Sequence, residues 1–184
     1  MTLTPSGKVW GRRKRDHNPI NSYASLSTYS FVTAVADYQA LLDFLQEHQT
    51  LTLATVGPDG TPHAAALFYA YTEDLRLIFL SAPDTQHAQH IGNSAPVAVT
   101  IQADGQDWRR IIGLQLHGIA GPADENARRI YLARFSFIAR TESLVQMLRG
   151  VRFYVIIPTW VRLIDNRLGF GHKQEWHFHY PSHE

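Results

Sequence analysis

Leu75-Arg76-Leu77-Ile78-Phe79-Leu80, then Ser81-Ala82-Pro83-Asp84-Thr85-Gln86-His87-Ala88-Gln89-His90, then Pro96-Val97-Ala98-Val99-Thr100-Ile101: this succession of apolar run, polar corner and second apolar run decides the fold. Each apolar run has the length and the aliphatic content of a buried strand. The corner places Pro83 and Asp84 where a helix should start, with Thr85 and His87 in its first turn. Unpaired backbone N–H groups at a helix start attract anions, and a hydroxyl and an imidazole add donors. The corner reads as a phosphate seat at the end of a strand and points to a phosphorylated cofactor.

Working outward, the same rhythm of strands and short turns continues. Residues 50–56 alternate and are β-rich, Gly57-Pro58-Asp59-Gly60 is a turn by composition, and residues 63–71 return as the second strand of a hairpin. Thr72-Glu73-Asp74 leads into Leu75. After a polar loop at residues 103–107, residues 108–120 read as one long strand interrupted by Gly113 and Gly118. Glycine inside a strand marks a bulge or the close approach of a ligand. Residues 151–157 and 160–164 are two further strands, parted by Pro158, which suits an edge or a corner. Helices are expected from an Asp37 cap to about Gln49, from an Asp124 cap to about Phe135, and from Thr141 onward. Neighbouring strands with short connections pair antiparallel, and six or so of them favour closure into a small barrel that removes exposed edges. A doubly wound sheet would need repeated strand–helix alternation, which is missing. The expectation is a mainly β (β+α) domain over residues 36–180, a six-stranded antiparallel barrel with flanking helices, preceded by a flexible tail at 1–35.

Composition narrows the function. The 184 residues are enough to bury a sizeable core, and a net charge of +1 implies no polyelectrolyte partner. The chain has no cysteine, which removes disulfides, thiolate metal sites, iron–sulfur clusters and cysteine nucleophiles. A cytoplasmic protein needs no disulfides, and a cytoplasmic location is the expectation. Any redox chemistry must come from a bound cofactor. No apolar run approaches the ~20 residues of a membrane span. Lys8, Arg12, Arg13, Lys14 and Arg15 precede Asp16-His17-Asn18-Pro19 rather than an apolar segment, so a signal peptide is not expected. Without interleaved aromatics these cations are read as part of a solvated tail rather than a nucleic-acid arm.

The segments in order resemble the pyridoxamine 5'-phosphate oxidase-like, flavin-binding split-barrel superfamily from about Ala40 to Trp176. Its opening hairpin, Leu-Ala-Thr-Val-x-x-x-Gly-x-Pro, appears as Leu53-Ala54-Thr55-Val56-Gly57-Pro58-Asp59-Gly60-Thr61-Pro62. Its flavin-phosphate corner corresponds to Phe79-Leu80-Ser81 and Thr85-Gln86-His87-Ala88. Asp165-Asn166-x-Leu168-Gly169-Phe170-Gly171-x-Lys173-x-x-Trp176 resembles the closing signature of a small bacterial subgroup. The resemblance implies a six-stranded split barrel that binds flavin mononucleotide (FMN), works as a homodimer and acts as an oxidoreductase or reductase on a small substrate. The departures are specific. The true oxidase has an Arg and a Lys where this chain has Ala65 and Ala70, and its corner Arg and Lys are here Gln86 and His87. Oxidation of pyridoxamine phosphate is therefore not expected.

By this resemblance Thr85, Gln86 and His87 hold the phosphate, and Leu80 and Ser81 lie beside the ribityl chain or ring. Ala64, Ala65, Ala66 and Leu67 are either core or small residues that let a flat ring approach the backbone. Lys173 is a candidate cation near the ring or a solvated residue, and Trp176 either stacks on the ring or closes the core. Gln115, alone in an apolar strand, points to water or reaches the cofactor from the barrel wall, with His117 on the same face. Deazaflavin and haem are alternative cofactors, and a non-enzymatic flavin or haem store is the alternative function. His177 and His179 would share one face of a strand, but two residues without a third ligand are not a metal site, and none is assigned. No residue stands out as a catalytic acid or base.

Overall fold

A computed structural model describes residues 38–178. The tail at 1–35 with its basic cluster, the Asp37 cap, His179 and His183 lie outside the described residues. Helix α1 (residues 38–47) leads into β1 (Thr50–Val56), β2 (Pro62–Phe68), β3 (Ala70–Tyr71) and β4 (Leu77–Ser81). Then come α2 (Gln86–Ile91), β5 (Ala95–Gln102), β6 (Ile112–Pro122), α3 (Glu125–Arg134), α4 (Phe137–Arg140) and α5 (Glu142–Met147). The chain ends in the long β7 (Arg152–Asp165) and the short β8 (Lys173–His177). Every ladder is antiparallel, and the sheet order is β2-β1-β5-β6-β7-β4-β3, with β8 also on β7. The sheet curls into a half-barrel that brings the edge strand β2 into contact with β4, next to the other end, without a ladder between them. No helix among the described residues is long and apolar enough to cross a membrane.

The strand count is eight rather than six, with β8 an addition at the end of the described residues, and three boundaries differ for local reasons. Leu75 adopts φ +64°, a left-handed conformation that an extended strand cannot include, so β4 starts at Leu77 instead of Leu75. The expected strand at 63–71 breaks at Tyr69, whose hydroxyl donates to Leu45 O (3.0 Å), and Ala70 and Tyr71 pair with β4 instead. The two strands expected around Pro158 are one. β4 covers β7 only at Arg152–Ile156 and β8 only at Trp160–Ile164, so Pro158 sits in the gap where no ladder N–H is needed. Opposite it, the register shifts between His117 and Gly118. A Cβ on Gly118 would lie 2.5 Å from Ile157 O, so the bulge requires glycine there.

The apolar pattern sorts into two cores on either side of β4. Leu77 and Phe79 point into the barrel with Leu41, Phe44 and Leu45 of α1, Leu51 and Leu53 of β1, and Ala88 and Ile91 of α2. Ile78 points the other way, against Ala127, Tyr131 and Phe135 of α3 and Ile138 of α4, with Leu80 packed on the same cluster. Burial on both faces is why this strand reads as a continuous apolar run rather than an alternation. Asp124 caps α3 as expected, accepting from Ala127 N at 2.7 Å. Arg134, at the other end of α3, donates to Leu45 O (3.0 Å), Gln46 O (3.2 Å) and His48 O (2.6 Å), pinning the end of α1.

Candidate functional site

Strand β4 ends at Ser81 and turns into α2 at the position expected for the phosphate corner. The helix begins at Gln86, slightly later than the sequence suggests, with Thr85 as its N-cap residue. The Thr85 hydroxyl does not cap the helix; it donates to Ala82 O at 2.8 Å. Ser81 Oγ lies 2.7 Å from His87 Nε2 and 3.0 Å from Thr85 Oγ1, and Thr85 Oγ1 lies 3.2 Å from His87 Nε2. One proton arrangement satisfies three of these four contacts: His87 Nε2–H donates to Ser81, Ser81 to Thr85, and Thr85 to the Ala82 carbonyl, with the longer Thr85–His87 contact sharing the same Nε2–H. The hydroxyl and the imidazole converge, and each is occupied by the other. Gln86 is exposed on the first turn.

Two further imidazoles surround this corner, and the sequence reading did not single them out. The His63 ring of β2 stacks toward His87 with centroids 5.9 Å apart, and it meets His90 edge-on at 6.0 Å. His90 Nδ1 bonds Thr55 Oγ1 of β1 at 3.0 Å. The available signal was the three-residue spacing of His87 and His90, which places both on one side of α2. Buried Gly57 has a role here as well. A Cβ on it would sit 2.8 Å from Asp59 Oδ1 and 3.0 Å from His90 Nε2, so glycine lets the β1–β2 turn close on this cluster. The pKa of His87 is lowered, first by burial and then by repulsion from His63 and His90. No Lys or Arg takes part in the hydrogen bonds of the cluster, and Arg152 stands opposite Ser81 across the β4–β7 ladder. Among the described residues no group of three or more His, Cys, Asp or Glu is placed to hold a metal ion.

The corner stands at one end of the split between β2 and β4. Strand β2 pairs only with β1, and Tyr69 N donates to Gln49 O, which fixes the phase of the hairpin. Alternation then turns the N–H and C=O of Ala64 and Ala66 toward the unpaired edge. The four residues expected to face a ring divide between two faces. Ala65 and Leu67 are half-buried on the side of His63, and Ala64 and Ala66 are exposed on the outer side with Phe68. Leu80 and Ser81 diverge for the same reason: Ser81 joins the corner, and Leu80 faces helices α3–α5. From His63 to Phe68 the split runs about 17 Å. Where it reaches Phe68 and Leu80 it borders a cavity of about 260 Å³ lined also by Tyr131, Phe135, Ile138 and Leu144.

Three of the expected cofactor residues lie elsewhere. Ser81 pairs with Arg152 on β7 and Lys173 with Ile164, so roughly 40 Å of extended strand separates Lys173 from the corner within one chain. Lys173 is exposed, 4.0 Å from Glu175, and Trp176 packs half-buried against the barrel core. Gln115 lies on the outer face, where Arg162 donates to its Oε1 at 3.4 Å, and His117 stacks on Trp160 on the same face. Gln115 thus points outward with Arg162 as its partner.

The sequence profile of the pyridoxamine 5'-phosphate oxidase family matches residues 38–165. The UPF0306 protein YhbP of Salmonella schwarzengrund is 31% identical over 129 residues, spanning 64% of this chain and 78% of the relative. Among solved structures, the conserved hypothetical protein Rv2991 of Mycobacterium tuberculosis superposes with TM-score 0.59 at 24% identity, over 73% of this chain and 88% of that one. HutZ of Vibrio cholerae, described as a haem storage protein, superposes with TM-score 0.52 at 18% identity, over 65% and 88%.

Proposed function

We propose that this chain, which belongs to the pyridoxamine 5'-phosphate oxidase family, binds FMN along the split and acts as a flavin-dependent oxidoreductase or reductase on a small substrate. The observation that carries the reading is the convergence of Ser81, Thr85 and His87 at one end of the unpaired edge of β2. An arriving phosphate replaces their mutual hydrogen bonds, taking donors from Thr85, His87 and the flanking His63 and His90. The residues fit an anion because each gains a charged acceptor in place of a neutral one. Toward the other end, small Ala64 and Ala66 leave the edge N–H and C=O groups open to the polar rim of a flat ring. The flavin, when bound, supplies the hydride or electron transfer.

The partner proposed for this chain is a second copy of itself. The outer face of the sheet exposes Val56, Phe68 and Ile119 at 60%, 53% and 40%, and it carries two shallow bowls of about 530 and 540 Å³. Val56 and Ile119 line one bowl and Phe68 the other, and a second copy would cover these exposed apolar side chains. Lys173 and Trp176 would approach a flavin only from the opposite subunit of such a dimer. A deazaflavin offers the same phosphate to the corner and is not distinguished from FMN by these residues. Haem storage is the second reading, favoured by the likeness of fold to HutZ and by the buried Nε2 of His172, which has no hydrogen-bond partner among the described residues.

Titration of the full chain with FMN, followed by quenching of flavin fluorescence, tests the assignment. Saturable binding at one flavin per chain is expected. Absence of binding to FMN and to a deazaflavin, with a Soret band on adding haem, would replace the flavin reading with the haem one.

A further inference from the structure

We infer that the 260 Å³ cavity between β4 and helices α3–α5 binds a neutral, mainly apolar molecule of one or two rings carrying one hydrogen-bond acceptor. The inference rests on the flavin reading, because it makes this ligand the molecule held beside the ring end of the split. Three observations carry it. The lining holds no charged side chain: besides Phe68 and Leu80, Phe135, Ile138, Leu144 and Leu148 form its walls. A charged ligand would lose its hydration there without a counter-charge. The volume exceeds the ~150 Å³ of an apolar cavity that accepts benzene and falls just short of the usual range for drug-sized ligands.

Tyr131 supplies the polar element. It lines the cavity, is only 3% exposed, and its hydroxyl makes no hydrogen bond to any described residue. Burial pushes its pKa up to about 12, so it remains a neutral O–H donor at any physiological pH. A single donor in an apolar wall selects a ligand with a carbonyl or ether oxygen and orients it. The cavity borders the end of the proposed cofactor groove at Phe68 and Leu80. Leu80 follows the strand into Ser81 of the corner, and Phe68 ends β2 with its ring 5.7 Å from that of Phe135.

The test uses the flavin-loaded full chain and three probes of one shape: 1-indanone, its hydrocarbon indane, and the anion 1-indanecarboxylate. Calorimetry should show 1-indanone binding at least tenfold more tightly than the carboxylate. Tyr131→Phe should weaken 1-indanone about three- to tenfold, the range of one hydrogen bond, and leave indane unchanged. Leu144→Trp should fill the cavity and weaken both neutral probes at least tenfold while flavin affinity stays the same. If Leu144→Trp also loses flavin, Met147→Trp, on the exposed side of the same cavity, replaces it. Equal affinity for ketone and carboxylate, or neutral probes indifferent to both filling variants, overturns the inference. Protein that takes no flavin yet binds 1-indanone in a Leu144-dependent way overturns the cofactor reading and the placement beside it, while leaving the cavity's ligand class standing.

Discussion

Two polar clusters on this sheet differ in what their partners leave free. On the outer face of β6, β7 and β8, Arg162 donates to Glu175 at 2.8 and 2.9 Å, stacks over Trp160 at 4.7 Å, and shares Glu175 with Lys173. Each charge there has an opposite charge beside it and water around it. At the end of β4 no cation takes part in the hydrogen bonds of the corner, although Arg152 of β7 stands opposite Ser81 in the ladder. Ser81, Thr85 and His87 bond one another, with His63 and His90 alongside. The charge-rich surface has its attraction for ligands already answered within the fold. The corner keeps donors whose present acceptors are hydroxyl and carbonyl oxygens, which the proposed phosphate would outcompete.

The sharpest way to break this contrast is to remove the corner. Thr85→Ala combined with His87→Ala should lower FMN affinity about a hundredfold or more, because two hydrogen bonds to a charged group contribute about 1.5–3 kcal/mol each. Arg162→Ala combined with Glu175→Ala should change it by less than about threefold. Equilibrium titration of the two double variants decides the matter, and equal losses would move the phosphate away from β4.

pH sharpens the contrast further, with opposite signs for the empty and loaded protein. Burial and the neighbouring imidazoles hold the His87 pKa below its ordinary value of about 6.5. As pH falls below that value the unfolded chain takes up the proton before the folded one does. Stability of the flavin-free protein should be constant above the ordinary value and decline below it, through the folded pKa. A bound phosphate dianion instead favours protonated imidazole. FMN affinity should rise as pH falls from 8 toward 6, about tenfold for each unit by which phosphate raises an imidazole pKa. The gain should stop near the second pKa of the phosphate, about 6. His87→Gln should remove its part of the stability slope and reduce the binding slope. Thermal melts and titrations across this pH range measure both.

These contrasts also show where the sequence could be read and where it could not. Strand β1, the hairpin turn, the Asp124 cap and the corner were legible because each depends on residues close together in the chain. The bulge at Gly118 was legible for the same reason, since glycine in a strand has few other uses. The continuity of β7 through Pro158 was not, because it depends on β4 and β8 ending on either side of that residue. Gln115 and Lys173 looked like candidates while their neighbours were unknown. Arg162 and Glu175, contributed by β7 and β8, are what keep both on the outer surface. His63 entered the site only through the fold, which folds β2 back over α2.

The smallest expected effect belongs to the saturated face itself, and it checks the premise of the contrast. Arg162 and Glu175 are 30% and 32% exposed at their side chains, so water screens their attraction despite the short contacts. Trp160 Nε1 also donates toward Glu175 at 3.4 Å, and hydrogen bonding by Arg162 is the main cause holding that carboxyl below its usual pKa. A double-mutant cycle on Arg162→Ala and Glu175→Ala, read from urea midpoints, should give a coupling below about 1 kcal/mol. It should shrink further at 1 M salt, where charges are screened within about 3 Å. A coupling several times larger and indifferent to salt would mean that this face is buried in the working protein. The most direct cause would be the second subunit bringing Lys173 and Trp176 against its neighbour's split.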